Sequence, residues 1–302
     1  MDIYPMSQRD ILDFVVIGAQ KAGSTFVMQC LQDHPGIYMP HGETPFFQDP
    51  DYGIDRLHVL EQAVRDAKDG QLRGIKRPNY LGQAEVPERI ASHMPRGKII
   101  AVLRNPVTRA ISAYFHFLKA GHIPLVPVDH GLRAILEGKW QKDYPHATTI
   151  LTYGRYDEHL ARFAEYFVAE RTKLVVLDDI SLDPEGVVQD LYRFLEIDDS
   201  VVPQRTDERP MSATYSLNRL QINRMLMPLV YKAGSNHARF YPRPGTKPLR
   251  YLITGFDRYI LAHLFKSPKP TIAHSVIKAL KAYYKDDVER LRGRLNHPLE
   301  GW

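Results

Sequence analysis

The sequence predicts an α/β protein, a single domain over residues 1–302 with a central parallel sheet flanked by helices and a P-loop-like turn after the first strand. Three observations predict this fold. Short apolar runs alternate with helical patterns through the first half of the chain. A glycine-containing turn joins the first apolar run to the first helix. No internal repeat, low-complexity tract or clean linker divides the sequence.

The elements follow in order. Residues 14–17 are uniformly apolar and read as a buried strand. Residues 25–32 read as a helix, and residues 36–39 as a short strand that stops at Pro40. Residues 85–94 are helical, with Pro87 in the first turn, where a missing N–H costs nothing. Residues 98–103 form the strongest strand pattern. Residues 107–119 are a helix, with Asn105 as its cap and Pro106 at its first position. Residues 156–167 read as an amphipathic helix, 173–177 as a strand and 184–195 as a helix. Beyond Pro203 the pattern weakens. Residues 205–220 read as a loop entering a helix, 242–248 as a proline-rich turn and 271–295 as a long amphipathic helix. In sheets of this kind, ligands sit at the carboxyl ends of the strands.

Composition narrows the function classes. With 44% hydrophobic and 25% charged residues, 302 residues bury a core without disulfides, and the lone cysteine, Cys30, permits none within the chain. Cys30 lies in a helical stretch and reads as a buried, inert thiol. The net charge of +5 suits an anionic ligand, but the basic residues read as scattered and no reader motif accompanies them, so no nucleic-acid partner is expected. Residues 1–14 lack the basic start and apolar run of a signal peptide, and no stretch is long enough for an integral membrane segment. The expected location is cytoplasmic. Nothing fixes the oligomeric state.

Two segments carry chemistry. Residues 18–25 (GAQKAGST) join a strand to a helix start, where backbone N–H groups and the helix dipole favour an anion. Ser24 or Thr25 is placed to cap the helix and donate to a phosphate oxygen, and Lys21 adds a full charge. A nucleoside-triphosphate loop ends in Gly-Lys-Ser/Thr. Here Lys21 precedes Gly23 by two positions, so that match fails. Read alone, the segment also fits a tight turn with an exposed lysine. The second segment is residues 103–114 (LRNPVTRAISAY). Arg104 leaves the strand at its carboxyl end, and Ser112 lies two turns into the next helix, so together they suit one phosphate. Arg109 lies on that same helix. The alternative is a capped helix with a surface arginine. Two anion sites on neighbouring strand ends fit a nucleotide bearing both 5′ and 3′ phosphates.

With these two motifs in order, the sequence resembles the sulfotransferases that use 3′-phosphoadenosine 5′-phosphosulfate (PAPS), and among them bacterial members related to the heparan sulfate O-sulfotransferases. Similar residues recur at His34 and Pro35, residues 42–47 (GETPFF), 76–80 (KRPNY), 154–156 (GRY) and 287–302. The resemblance implies that Gln20, Lys21, Ala22, Gly23, Ser24 and Thr25 line a 5′-phosphosulfate loop. It implies that Arg104 and Ser112 hold the 3′-phosphate, and that Ser212, Tyr215 and Arg219 reach the nucleotide. Glu43 matches the general base of the glycan branch, and Lys76 a lysine near the reacting centre. The branch acting on small hydrophobic molecules carries a histidine base two residues after that lysine; here Pro78 stands there, which favours Glu43. His41 is the rival base. The sequence departs from the glycan branch at Gly42, where lysine is usual, and at Arg77, where serine or threonine is usual.

The reaction so implied moves a sulfuryl group from PAPS to a hydroxyl or amine of a small metabolite, releasing the bisphosphate PAP, with no metal. Glu43 takes the acceptor proton, and Phe46 and Phe47 are expected to desolvate it in part. Lys21 and the loop amides stabilise charge on the leaving oxygen. A glycan acceptor is the alternative. Residues 121–129 and 205–215 are expected to border the acceptor. A metal-dependent nucleotide kinase is a more distant reading, resting on Asp178 and Asp179 at the end of a strand. A nucleotide-binding protein without turnover is a third.

Overall fold

The computed structural model describes residues 10–204, 214–233 and 240–302. In chain order the first elements are β1 (Phe14–Gly18), α1 (Ser24–Gln32), β2 (Ile37–Tyr38), α2 (Leu57–Val64), β3 (Leu72–Lys76), α3 (Val86–His93) and β4 (Lys98–Leu103). There follow α4 (Pro106–Ala120), α5 (Val128–Leu136), α6 (Thr149–Thr152), α7 (Tyr156–Ala164), β5 (Thr172–Val176), α8 (Leu177–Leu182) and α9 (Pro184–Leu195). The last are α10 (Leu217–Val230), β6 (Tyr231–Ala233), β7 (Phe240–Pro242), α11 (Lys247–Phe256), a π-helical turn (Asp257–Leu261), α12 (Ala262–Leu264) and α13 (His274–Leu295).

The chain divides into two compact units. One comprises Met1–Asn105, Arg155–Pro210 and Asp287–Gly301; the other comprises Pro106–Gly154, Met211–Asp286 and Trp302. Both are discontinuous in sequence, so no linker composition announces them.

The first unit is built on a five-stranded parallel sheet in the order β2-β3-β1-β4-β5. One face buries Phe14, Val16, Ile100 and Val102 with Val27 and Leu31 of α1 and Val188, Leu191 and Tyr192 of α9. Cys30 is fully buried in this layer, and its carbonyl accepts from the Tyr192 hydroxyl at 3.2 Å. Val15, Ile17, Ile75, Ile99 and Ala101 alternate with the first set and are also fully buried, as strands covered on both faces require. Helix α7 opens on a borrowed cap: the buried Asp287 carboxylate accepts from the amides of Asp157 and Glu158, each at 3.1 Å. Burial raises the Asp287 pKa above the ordinary carboxylate value. Arg290 and Arg294 in turn pair with Asp157 at 3.0 and 2.9 Å.

The second unit contains α4, α5, α6, α10 to α12, β6 and β7, and residues 274–286 of α13. Arg109 of α4 has no exposed surface, and its Nη2 donates to the Ile150 carbonyl. It is therefore not the surface arginine of the alternative reading. Arg224 of α10 donates to the carbonyls of Leu118 and Ile123 at 2.8 and 2.6 Å.

Strand β3 is the strand of the five-stranded sheet that sequence periodicity missed. A Cβ built at Gly74 would stand 2.2 Å from the Phe14 ring, so the ring occupies the place of a side chain in the middle of this strand. Strand β5 also ends one residue before the expected limit. Leu177 begins α8, so Asp178 and Asp179 lie in the first turn of a helix and not at a strand end. The kinase reading thereby loses its structural premise. Gly74→Ala is expected to destabilise the protein by about 1–3 kcal/mol in urea unfolding, the range for forcing extra atoms into a packed core. Adding Phe14→Leu should recover part of that loss; an additive result would show that the ring does not set the requirement for glycine.

Candidate active site

The P-loop-like turn forms as the end of β1 is drawn toward β4: the Ala19 amide donates to the Val102 carbonyl at 2.7 Å. Gly18 approaches the next loop so closely that a Cβ there would meet the Pro78 carbonyl oxygen at 2.7 Å. Lys21 takes φ 66° and Gly23 takes φ 100°. Gly23 is the N-cap of α1, with no side-chain cap, and its carbonyl receives the amides of Phe26 and Val27 at 2.9 and 3.3 Å. Neither Ser24 nor Thr25 caps the helix as expected. The amides that precede Phe26 have no acceptor within the helix, and a helix start of this kind favours an anion.

The side chains of the loop are already organised. Ser24 is buried. The Gln20 amide donates to Asn79 Oδ1 at 3.1 Å, while its own oxygen is buried without a partner among the described residues. Arg104 leaves β4 and donates through Nη1 to the Lys21 carbonyl at 3.1 Å, and its own carbonyl accepts from the Tyr156 hydroxyl at 2.9 Å. The two predicted anion-binding segments are therefore joined at Lys21 and Arg104. Ser112 lies half-buried on α4 in the second unit.

Lys76 connects this loop to the carboxylate. It is the last residue of β3, its side chain is 2% exposed, and β1–β3 pairing sets it beside Val16. Its Nζ donates to Thr25 Oγ1 at 2.8 Å and stands 3.5 Å from Glu43 Oε1. Burial lowers the Lys76 pKa, and the Glu43 charge opposes that shift. Arg77 completes the cluster: Nη1 reaches Glu43 Oε2 at 2.6 Å, and Nε donates to the buried Gln48 at 2.9 Å.

The Glu43 loop is fastened at its other end. The Thr44 amide donates to the Lys76 carbonyl at 3.0 Å. The buried Tyr80 hydroxyl donates to the Thr44 carbonyl and accepts the Phe47 amide. Phe46 and Phe47 are buried against each other, and their rings meet Tyr52, Tyr80 and His93. The aromatic pair thus anchors the loop; Glu43 itself remains 39% exposed beside two cations, which corrects the expected desolvation. His41 is exposed and takes no part in the contacts between Glu43, Lys76 and Arg77.

Three other predicted positions lie in or near α10. Ser212 is outside the described residues. Tyr215 packs edge-on against Phe115 at 4.8 Å. Arg219 makes a two-point ion pair with Asp257, at 2.6 and 2.7 Å. Sequence reasoning missed Arg77, Gln48 and Asn79 as members of the site and Tyr80 as its clasp; their motif was visible, but their partners lie far away in sequence.

The family model described as "Sulfotransferase domain" matches residues 12–231. The chain is 31% identical over 186 residues to the heparan sulfate glucosamine 3-O-sulfotransferase 6 of Mus musculus, covering 60% of this chain and 51% of that protein. It is 25% identical over 194 residues to the bifunctional heparan sulfate N-deacetylase/N-sulfotransferase 1 of Caenorhabditis elegans, covering 63% of this chain and 23% of that protein. The chain thus spans about half of the first relative and about a quarter of the second. In fold it is similar to a sulfotransferase from Alicyclobacillus acidocaldarius, with a TM-score of 0.57 at 24% identity over 72% of this chain and 92% of that one.

The Tyr80 clasp gives a pH signature. Burial raises the Tyr80 pKa well above the ordinary phenol value of 10.0. A raised folded-state pKa means that the contribution is complete below pH about 10 and is lost as pH climbs, because the unfolded chain releases its proton first. The stability difference between the native protein and Tyr80→Phe should be constant below pH 10 and shrink by about 1.4 kcal/mol per pH unit above it. A difference that does not change with pH would remove the buried neutral phenol from this account.

Proposed function

The chain belongs to the sulfotransferase domain family, and we propose that it transfers the sulfuryl group of PAPS to a hydroxyl or amine of a small-molecule acceptor, with the Glu43 carboxylate as general base. The observation that carries this reading is the Lys76 side chain, which touches Thr25 of the anion-binding loop and Glu43 together. One buried ammonium thereby ties the donor end of the site to a carboxylate able to accept a proton.

The residues present fit the donor. The open amide end of α1 and the Lys21 charge suit a 5′-phosphosulfate, with Gln20, Ala22, Gly23, Ser24 and Thr25 completing the loop. Arg104, held against Lys21, suits the 3′-phosphate as a planar charged fork. When bound, PAPS supplies an activated sulfuryl group whose leaving oxygen gains negative charge. Lys21 and the α1 amides are placed to stabilise that charge. Lys76 holds Thr25 and Glu43 in a fixed relation. Glu43 receives the proton of the attacking hydroxyl or amine, exchanging its contact with Arg77 for one with the acceptor.

Both cations beside Glu43 already have partners: Lys76 has Thr25 and Glu43, and Arg77 has Glu43 and Gln48. Neither is presented to a polyanionic chain, which supports a small acceptor. A glycan acceptor is the second reading, supported by the named activities of the heparan sulfate relatives.

PAP at a hundred times its dissociation constant should stabilise the native protein by about 2.7 kcal/mol, and Lys21→Ala and Arg104→Ala should each abolish that stabilisation at the same concentration. Stabilisation by ATP with magnesium and not by PAP would sink the assignment. Glu43→Gln should lower kcat by roughly 10²–10⁴-fold while leaving PAP binding intact. Full turnover by that variant would move the base elsewhere, with His41→Ala as the next variant to assay. Comparing desulfated heparan chains with small alcohols and amines as acceptors separates the two readings.

A further inference from the structure

Residues 211–285 contain thirteen lysines and arginines and one acid, Asp257. The basic residues are therefore not scattered as the composition suggested: a chain of net charge +5 concentrates its excess in this stretch. Asp257 is itself neutralised by Arg219 and hydrogen-bonded to Asn223.

The same stretch carries an uncovered apolar face. Ile253, Asp257 and Leu261 recur every four residues and form the inward side of α11 and its π-helical continuation; Leu261 is buried, and Asp257 is tied to α10 through Arg219 and Asn223. Leu249, Leu252, Phe256, Ile260 and Leu264 recur every three or four residues and are all exposed. Leu252 and Leu264 are 70% and 71% exposed, and Tyr259 beside them is 68% exposed. The segment is thus fastened to α10 along one side and presents aliphatic and aromatic side chains along the other. Lys247, Arg258, Lys266 and Lys269 are exposed around it.

We propose that α11, its π-helical turn and α12 form a peripheral docking surface for an anionic phospholipid bilayer. A helix with an apolar side, lysines and arginines around it and tyrosine at its border lies in the bilayer interface, where apolar burial and attraction to acidic headgroups add. Charge and apolarity must be met together, and this selects the partner. A polyanionic glycan or nucleic acid satisfies the charge and leaves Leu252, Ile260 and Leu264 against water. A second copy of the chain satisfies the apolar residues and sets two strongly positive surfaces against each other. No helix among the described residues is long and apolar enough to cross a membrane, so the contact is with the surface.

The test is co-sedimentation of the full chain with phosphatidylserine-containing vesicles, beside vesicles of phosphatidylcholine alone. The native protein should partition onto the anionic vesicles only, less so as salt rises. Leu252→Asp/Phe256→Asp/Leu264→Asp should bind roughly tenfold or more weakly, since it removes apolar burial and adds repulsion. Lys266→Glu/Lys269→Glu, which leaves the apolar face intact, should weaken binding and flatten the salt dependence. All three apolar positions are exposed, and an unchanged melting temperature verifies the fold. Equal, weak binding of the native protein to both kinds of vesicle would overturn the proposal. So would vesicle binding that the triple variant retains, heparin binding unaffected by that variant in a protein that ignores vesicles, or concentration-dependent dimerisation that the variant abolishes. None of these readouts depends on PAPS or on turnover.

Discussion

A buried ammonium organises the first unit. Lys76 ends β3 with its side chain almost wholly out of water, and an unpaired charge in that position would be strongly destabilising. Thr25 and Glu43 meet the cost together, one from the first turn of α1 and the other from the loop after β2. Burial still lowers the Lys76 pKa, so the compensation is incomplete. The sheet cannot place Lys76 without placing its partners. Parallel pairing of Val16 with Lys76 brings the end of β1, and hence the turn into α1, beside the end of β3. The Thr44 amide on the Lys76 carbonyl then draws in the loop that carries Glu43. Anion loop and carboxylate are neighbours because one charge requires both.

Much of this edge was legible in the sequence. Strand β4 and helix α9 occupy their expected residues, because continuous apolar runs and a Pro-started helix are strong local signals. The strand–turn–helix around Lys21 was equally plain. The rest is non-local. Strand β3 reads LRGIK, with glycine in the middle, and is a strand because the Phe14 ring fills the missing side chain from the neighbouring strand. The α8 acids were misplaced because an apolar run does not reveal where a strand turns into a helix. The two units were invisible because each is assembled from separated segments, whose boundaries fall at a helix start and within ordinary sequence.

The site shows the same division. Residues that shape the turn through backbone geometry, such as Gly18, Lys21 and Gly23, stand in a motif that the sequence shows. Residues whose role depends on a distant partner were not. Arg77 and Glu43 are 34 positions apart, and Asp287 and the Asp157 amide are 130 apart. Phe46 and Phe47 illustrate the risk of inferring environment from sequence neighbours. They flank Glu43 in the chain, yet their rings turn inward to the Tyr80 cluster and leave the carboxylate partly in water.

That partial exposure bears on the proposed use of Glu43, a carboxylate with two cationic partners, as a base. The two contacts differ in kind. Lys76 is buried, so breaking its contact would strand a charge away from water, and it stays in place. Arg77 meets Glu43 at the surface, where an ion pair contributes about 0–1 kcal/mol, and Gln48 continues to hold its Nε when Nη1 lets go. Glu43 is therefore anchored on one oxygen and exchangeable on the other. An acceptor that offers a hydroxyl or amine to Oε2 displaces a weak contact and leaves the strong one untouched. In the proposed step, the exchange of Arg77 for acceptor needs no movement of β3, α1 or the Tyr80 clasp, so the geometry that orients Glu43 survives it.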